Sequence, residues 1–402
     1  MEAAEEVLLL LWQKIFLKVI LIKREISMLK IDRRLIEHFD WITFFTIIAI
    51  CFIGILTIYS ATRPPLDEGE VPPFYVKQLI WLIIAITGMF IFISFDYTVL
   101  RKYWLILYII GILLLVIVLF TGKTAMGAKR WINLGFFSFQ PSEIFKIVFI
   151  ISISAYLETK NSPLSTKEAL KTMAIFGIIP FALIVKQPDL GTGILILITT
   201  FIMTVYKGLR VRLLILLLSI FIISIAFLWE ILWEGLKEYQ KNRLIAFLDP
   251  TVDPRGIGYN IMQSVITVGS GGFFGKGFLE GTQGPLKFLP ERHTDFIFPI
   301  FAEEWGFIGC LLLLFLYFTV FFRCFQTSVI AKDNFGKLIA TGFTALFVIY
   351  FFINIGMTLG IMPVVGIPLP FMSYGGTTLL ANFIGIAMVI NVRMRRFELF
   401  YP

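Results

Sequence analysis

The chain has 402 residues, of which 58% are hydrophobic, 16% aromatic and only 15% charged, and its mean hydropathy is +0.88. Soluble domains carry about 25% charged residues, so these values exclude a large water-soluble core and point to a chain that crosses a membrane many times. The net charge of +8 is scattered over the ends of apolar segments, which argues against a nucleic-acid partner.

Residues 1–40 read as an N-terminal cytoplasmic or interfacial segment. Val7 to Ile22 is apolar but short, and Lys14 and Lys18 interrupt it. A span needs about 20 apolar residues, so this stretch reads as a helix lying on the membrane surface, or as an upstream extension ahead of Met28. The acidic opening (Glu2, Glu5, Glu6), with no small-residue cleavage site after the apolar run, argues against a signal peptide.

From Trp41 the sequence predicts an all-α polytopic domain over 41–392. Its ten transmembrane helices lie near 41–60, 75–94, 103–121, 141–157, 172–187, 190–206, 211–231, 296–322, 337–361 and 373–392. Lys and Arg in alternate short connections orient the bundle. Arg101/Lys102, Lys160/Lys167/Lys171, Lys207/Arg210/Arg212 and Arg323/Lys332/Lys337 then share one side with residues 23–34 and with a basic tail, 393–402. Both termini are therefore expected in the cytoplasm, and the long loop 232–295, between helices 7 and 8, faces outward. Cys51, Cys310 and Cys324 lie in apolar runs and read as small buried residues.

Lys123, Lys129 and Arg130 break this orientation pattern in a short outer loop, and binding of an anion is the simplest reason. Just beyond them, Gln140-Pro141-Ser142-Glu143 opens the fourth span, with Pro141 suited to a first helical turn. Glu143 and Lys146 share a helix face. They form either an internal ion pair that eases insertion or the same pair turned toward a cavity, with Lys146 offered to a phosphate.

Asp189, in the break between the fifth and sixth spans, reads as an N-cap or as a further carboxylate on that cavity. In the outer loop, Asp249-Pro250 and Asp253-Pro254 read as turns. Arg243 is either a solvated surface residue or a bidentate phosphate ligand. Ile257 to Val268 reads as a short amphipathic helix, and the glycines from Gly269 to Gly277 mark tight turns or close backbone approach.

The stretch from Gly281 to Phe296 carries Asp295 and His293, one of two histidines. A carboxylate at the mouth of an apolar run is costly and is a functional candidate by default; His293 reads as a local hydrogen-bonding residue. Pro299 is expected to kink the eighth span, and Glu303 and Glu304 beyond it read as structural before catalytic. Prolines and glycines between Met362 and Thr378 forbid continuous helix, and such backbone survives only buried in protein or lining a wet cavity.

Five of these stretches resemble the SEDS family (shape, elongation, division and sporulation). They are Gly127 to Ile132, Phe139 to Lys146, Gln187 to Thr192, Leu289 to Phe296 and Pro368 to Gly376, in order along a ten-span chain. Met362 to Pro370 and Gly281-Thr282-Gln283 look closer to the elongation branch than to the division branch. The first 27 residues fall outside the resemblance.

The resemblance implies a peptidoglycan glycosyltransferase that polymerises lipid II at the outer face of the bacterial cytoplasmic membrane. It would work with a class B penicillin-binding protein and other elongation-complex proteins. The family's key aspartate falls on Asp295, the expected general base in an inverting transfer. Its other charged cavity positions fall on Arg130, Glu143, Lys146, Asp189 and Arg243. No cofactor is required by this reading, although a divalent cation at the leaving pyrophosphate stays open. Two rivals remain at this stage: a flippase for the same lipid, and a non-catalytic scaffold for the penicillin-binding protein.

Overall fold

A computed structural model describes residues 37–63, 74–125, 128–133, 138–216, 238–253, 256–284 and 291–397, with 219, 223, 233, 234 and 289 as single positions. Helix α1 (Trp41–Thr62) is started by Asp40, which accepts from the Thr43 amide at 3.3 Å and the Thr43 hydroxyl at 2.7 Å. Such a cap satisfies amides that a helix start leaves bare. Helices α2 (Phe74–Ser94) and α3 (Thr98–Thr121) follow. A small antiparallel sheet then runs through β1 (Lys123–Ala125), β2 (Ala128–Asn133) and β3 (Ser138–Phe139).

Helix α4 (Pro141–Glu158) leaves β3 after Gln140 and holds Pro141 in its first turn. Helix α5 (Thr166–Lys186) opens on a capping box between Ser165 and Glu168. Its Met173–Ile178 turn widens, the Ile179 amide reaching the Ala174 carbonyl, just ahead of Pro180. Helix α6 (Leu190–Gly208) is capped by Asp189. Beyond it come α7 (Glu238–Leu248) and α8 (Ile257–Ser270), then the long α9 (Ile297–Ile330), α10 (Asn334–Thr358) and α11 (Gly376–Met394).

Among the described residues eight of these helices (α1, α2, α3, α5, α6, α9, α10 and α11) are long and apolar enough to cross a membrane. Helix α4 occupies the predicted fourth span but carries Glu143, Lys146 and Glu158. The predicted span 211–231 lies largely outside the described residues, as do 1–36. Helices α10 and α11 form the axis: 78% and 89% of their apolar windows are buried, against 22% for α2 and α3. Close approach uses small residues; a methyl on Gly385 of α11 would lie 2.8 Å from the Phe343 ring of α10.

Three features depart from the sequence expectations. The stretch around Arg130 pairs into the small sheet, with Ile132 opposite Phe139 and Asn133 opposite Ser138, and so ties β2 to the start of α4. Second, α9 runs on to Ile330, which places Arg323 inside a helix and not in a basic loop. Its guanidinium meets Asp40 at 2.5 Å, and Arg393 of α11 meets the same carboxylate at 3.4 Å. A paired arginine is tolerable there because its charge is neutralised within the bundle.

Third, α9 breaks at Gly306, at φ +62°, and not at Pro299. Pro299 falls in the first turn of α9, where its missing amide hydrogen costs no helical bond. At the break the glycine-rich turn after α8 supplies the lost partners. Lys276 and Gly277 amides donate to the Glu303 and Glu304 carbonyls, both at 3.0 Å, while Phe307 and Ile308 amides donate to Gly272 and Phe273 carbonyls at 3.0 and 3.2 Å. A side chain on Gly275 would run into the Glu304 carbonyl, so of the two readings of those glycines close backbone approach applies here.

Candidate active site

The bundle has two polar ends. Asp40, Arg323, Arg393 and the Tyr97–Asp333 hydrogen bond gather at one. Glu143, Lys146, Asp189, Arg243 and Asp295 gather at the other, and contacts through α10 and the non-helical stretch 359–375 connect them.

Asp295 sits in the turn 291–296, directly before α9 and only partly exposed. Three consecutive carbonyls of that turn are held by distant donors. His293 accepts from the Tyr374 amide at 2.9 Å, Thr294 from the Ser373 hydroxyl at 2.7 Å, and Asp295 from the Asn354 side-chain amide at 3.0 Å. Gln78 of α2 fastens the same region, donating to the Ser373 carbonyl at 3.1 Å and accepting from the Gly375 amide at 3.2 Å. His293 packs against Phe74 and Tyr374, ring centres 4.7 and 5.5 Å away. Burial, opposed by Glu291, lowers the pKa of its imidazole.

Gly366 faces Asp295. A methyl at this position would lie 3.2 Å from Asp295 Oδ2 and 3.8 Å from a terminal nitrogen of Arg243. The carboxylate and the guanidinium therefore border one glycine. Arg243, from α7, also donates to the Val365 carbonyl at 3.0 Å, so it is tied to the site and is not a loose surface residue. On the other side of this loop a methyl on Gly191 would touch Ile367 at 3.0 Å and the Val365 carbonyl at 3.2 Å. That contact brings the start of α6 to the same loop.

Asp189 caps α6 by accepting from the Thr192 amide at 3.1 Å and hydroxyl at 3.0 Å, and it takes the Gln140 amide at 3.3 Å. One turn beyond Gln140, Glu143 and Lys146 pair at 2.8 Å with both side chains buried. Lys146 also bonds the Tyr350 hydroxyl and lies 4.5 Å from the centre of that ring. Tyr350 and Asn354 lie four residues apart on α10, which closes a ring of contacts from Lys146 to Asp295, Arg243 and Asp189. Arg130 lies on β2, and its side chain is outside the described residues.

Glu303 and Glu304 bind the segment 276–283 and the end of helix α1. The buried Glu303 carboxylate accepts from Lys276 Nζ at 2.6 Å, the Thr282 hydroxyl at 2.9 Å, and the Thr282 and Gln283 amides at 3.0 and 3.2 Å. Glu304 accepts from the Ser60 hydroxyl and from the Leu279 amide at 3.3 Å. Sequence reasoning did not single out Tyr350, Asn354 or Gln78, and took Gln140 only as part of the stretch that opens the fourth span. The usable signal was a polar side chain in an otherwise apolar span, which marks function by default. Among the described residues no group of three or more His, Cys, Asp or Glu side chains is placed to hold a metal ion.

The sequence model of the cell cycle protein family FtsW/RodA/SpoVE matches residues 40–398. The chain belongs to that family. Among FtsW/RodA/SpoVE relatives it is 37% identical over 361 residues to the peptidoglycan glycosyltransferase MrdB of Escherichia coli K12, covering 89% of this chain and 94% of that one. It is 33% identical to the peptidoglycan glycosyltransferase RodA of Treponema pallidum, covering 89% and 98%. Its fold matches a chain from a structure entitled "Structural coordination of polymerization and crosslinking by a peptidoglycan synthase complex", with a TM-score of 0.76 at 29% identity, covering 90% and 99%. The rod shape determining protein RodA of Thermus thermophilus matches with a TM-score of 0.65 at 26% identity, covering 90% and 98%. In this family setting the ring at the Asp295 end is the candidate active site.

Proposed function

We propose that this chain is a peptidoglycan glycosyltransferase that polymerises lipid II during cell elongation, at the outer face of the bacterial cytoplasmic membrane, with Asp295 as general base. One observation carries the reading: a carboxylate and a guanidinium border Gly366, in the same ring as the buried Glu143–Lys146 pair. A general base and cationic groups for phosphate oxygens thus share one end of a membrane-spanning bundle. Clustering at one end also favours an enzyme over a flippase, which needs polar groups along a whole transmembrane path.

The acceptor sugar's 4-hydroxyl gives its proton to Asp295 as its oxygen attacks the donor's anomeric carbon. A new C–O glycosidic bond forms, the bond from that carbon to the pyrophosphate oxygen breaks, and the configuration inverts. Negative charge then grows on the departing lipid pyrophosphate. Arg243, Lys146 and Arg130 stabilise it, guanidinium by planar paired hydrogen bonds and ammonium as a point charge. Asp189 and Glu143 hold the helix starts and the lysine in place. General-base help supplies about 10²–10⁴-fold, so positioning and charge stabilisation supply much of the remaining acceleration.

The partner is a class B penicillin-binding protein, a reading supported by the likeness to a chain of a peptidoglycan synthase complex. The deciding experiment is polymerisation of labelled lipid II by the purified chain, with and without that partner. Asp295→Asn is expected to abolish glycan formation while lipid II binding persists. Near wild-type polymerisation by that variant would remove Asp295 from the chemistry.

A further inference from the structure

We infer that Asn354 and Tyr350, on one face of α10, are positioning residues that set the spacing between the Asp295 carboxylate and the Lys146 ammonium. The inference rests on the glycosyl-transfer reading above and deepens it. Residues four apart on a helix share a face and are separated by about 6 Å along the axis. One of this pair reaches the base and the other reaches the cation.

Asn354 is fully buried. Its amide nitrogen spends both hydrogens on main-chain carbonyls, Asp295 at 3.0 Å and Ile367 at 2.7 Å. A single side chain therefore joins the turn that bears Asp295 to the loop that bears Gly366. Its own amide oxygen is buried without a hydrogen-bond partner among the described residues. An apolar residue of the same shape would leave both carbonyls bare.

Tyr350 does the matching task for the cation. Its hydroxyl bonds Lys146 Nζ and its ring lies 4.5 Å from that nitrogen, while Glu143 holds the same ammonium at 2.8 Å. The lysine is therefore held from two elements, α4 and α10. Helix α10, with 78% of its apolar window buried among its neighbours, carries both Tyr350 and Asn354. Asn354 bonds main-chain atoms of the Asp295 turn and acts through Asp295. Misplacing a reacting group by about 1 Å costs on the order of 10²-fold in rate, and that loss belongs to the chemical step and not to substrate affinity.

The test uses the full-length chain with its partner in lipid vesicles, labelled lipid II as substrate, and separate kcat and KM values per folded molecule. Asn354→Leu is expected to lower kcat by on the order of 100-fold with KM unchanged. Asn354→Asp is expected to fall between wild type and Leu, because a buried acid is protonated and can still donate one hydrogen bond. Tyr350→Phe, which keeps the ring beneath the ammonium, is also expected to lower kcat. A purely structural role would reduce the yield of folded protein and leave kcat per folded molecule at the wild-type value. That result, or a raised KM with kcat intact, overturns the inference. Where Asn354→Leu does not fold, Asn354→Asp decides by the same criterion. Asp295→Asn is run alongside: full activity there removes the general-base reading itself, whereas loss there with wild-type kcat at Asn354 removes only the positioning role.

Discussion

Gly366 lies against Asp295 so closely that a methyl on the glycine would stand 3.2 Å from the carboxylate oxygen Oδ2, and the residue adopts φ +74°. Two constraints meet at one position. The backbone is left-handed, which costs an ordinary residue about 1–2 kcal/mol, and the space belongs to the groups proposed to do the chemistry. Gly366→Ala is therefore expected to lose about 1–2 kcal/mol of stability and a larger share of activity, because the methyl displaces Asp295 or Arg243. Thermal unfolding and polymerisation measured on the same preparations check both parts.

The Glu143–Lys146 pair separates an ion pair kept for folding from one kept for substrate. Lys146→Met strands a buried carboxylate, a change worth about 3–5 kcal/mol, so its lost activity alone is ambiguous. The double variant Glu143→Gln/Lys146→Met removes both charges and is expected to recover most of that stability. It should still fail to polymerise lipid II. A stable, active double variant would leave the pair with a structural role only.

Glu303 holds the 276–283 segment by accepting from Lys276, Thr282 and Gln283. Glu303→Gln keeps one acceptor oxygen and turns the other into a donor facing donors, which is expected to cost about 1–3 kcal/mol. The loss should be local. Limited proteolysis between residues 276 and 284 should accelerate more than the global unfolding midpoint falls.

At the opposite end, burial alone would raise the pKa of Asp40, but hydrogen bonds from Arg323 and Thr43 and the charges of Arg393 and Arg323 hold it below the ordinary aspartate value. Its unfolded value is near 3.9, so the carboxylate contributes full stability above about pH 4. That contribution is lost as pH falls through the depressed folded value. Asp40→Asn should be less stable than wild type at neutral pH, and the two stability curves should converge on acidification below about pH 4. Parallel curves down to pH 2 would contradict the linkage.

Much of this was legible in sequence because lipid imposes simple rules. Apolar length located eight of the ten predicted spans among the described residues, and the cost of charge in hydrocarbon singled out Glu143, Lys146, Asp189 and Asp295 as candidates. Clusters of glycine and proline located the two non-helical stretches, after α8 and before α11. The expected bend at Pro299 failed because a proline in a first helical turn removes no hydrogen bond, whereas Gly306 alone reaches the positive φ of the break. Arg323 was misplaced because counting basic residues in loops cannot foresee a carboxylate, Asp40, that neutralises one inside a helix.

The chain's own order of residues determined that it is a helical membrane protein, which charged side chains are candidates for a site, and which family it resembles. Tertiary structure alone decided that Asp295 and Arg243 share Gly366 as a neighbour, and that Tyr350 and Asn354 bind Lys146 to the Asp295 turn. The physical reason is range. Hydropathy and capping act within a few residues, while these contacts join positions from 59 to 204 apart in sequence and exist only once α10 has packed among the other helices.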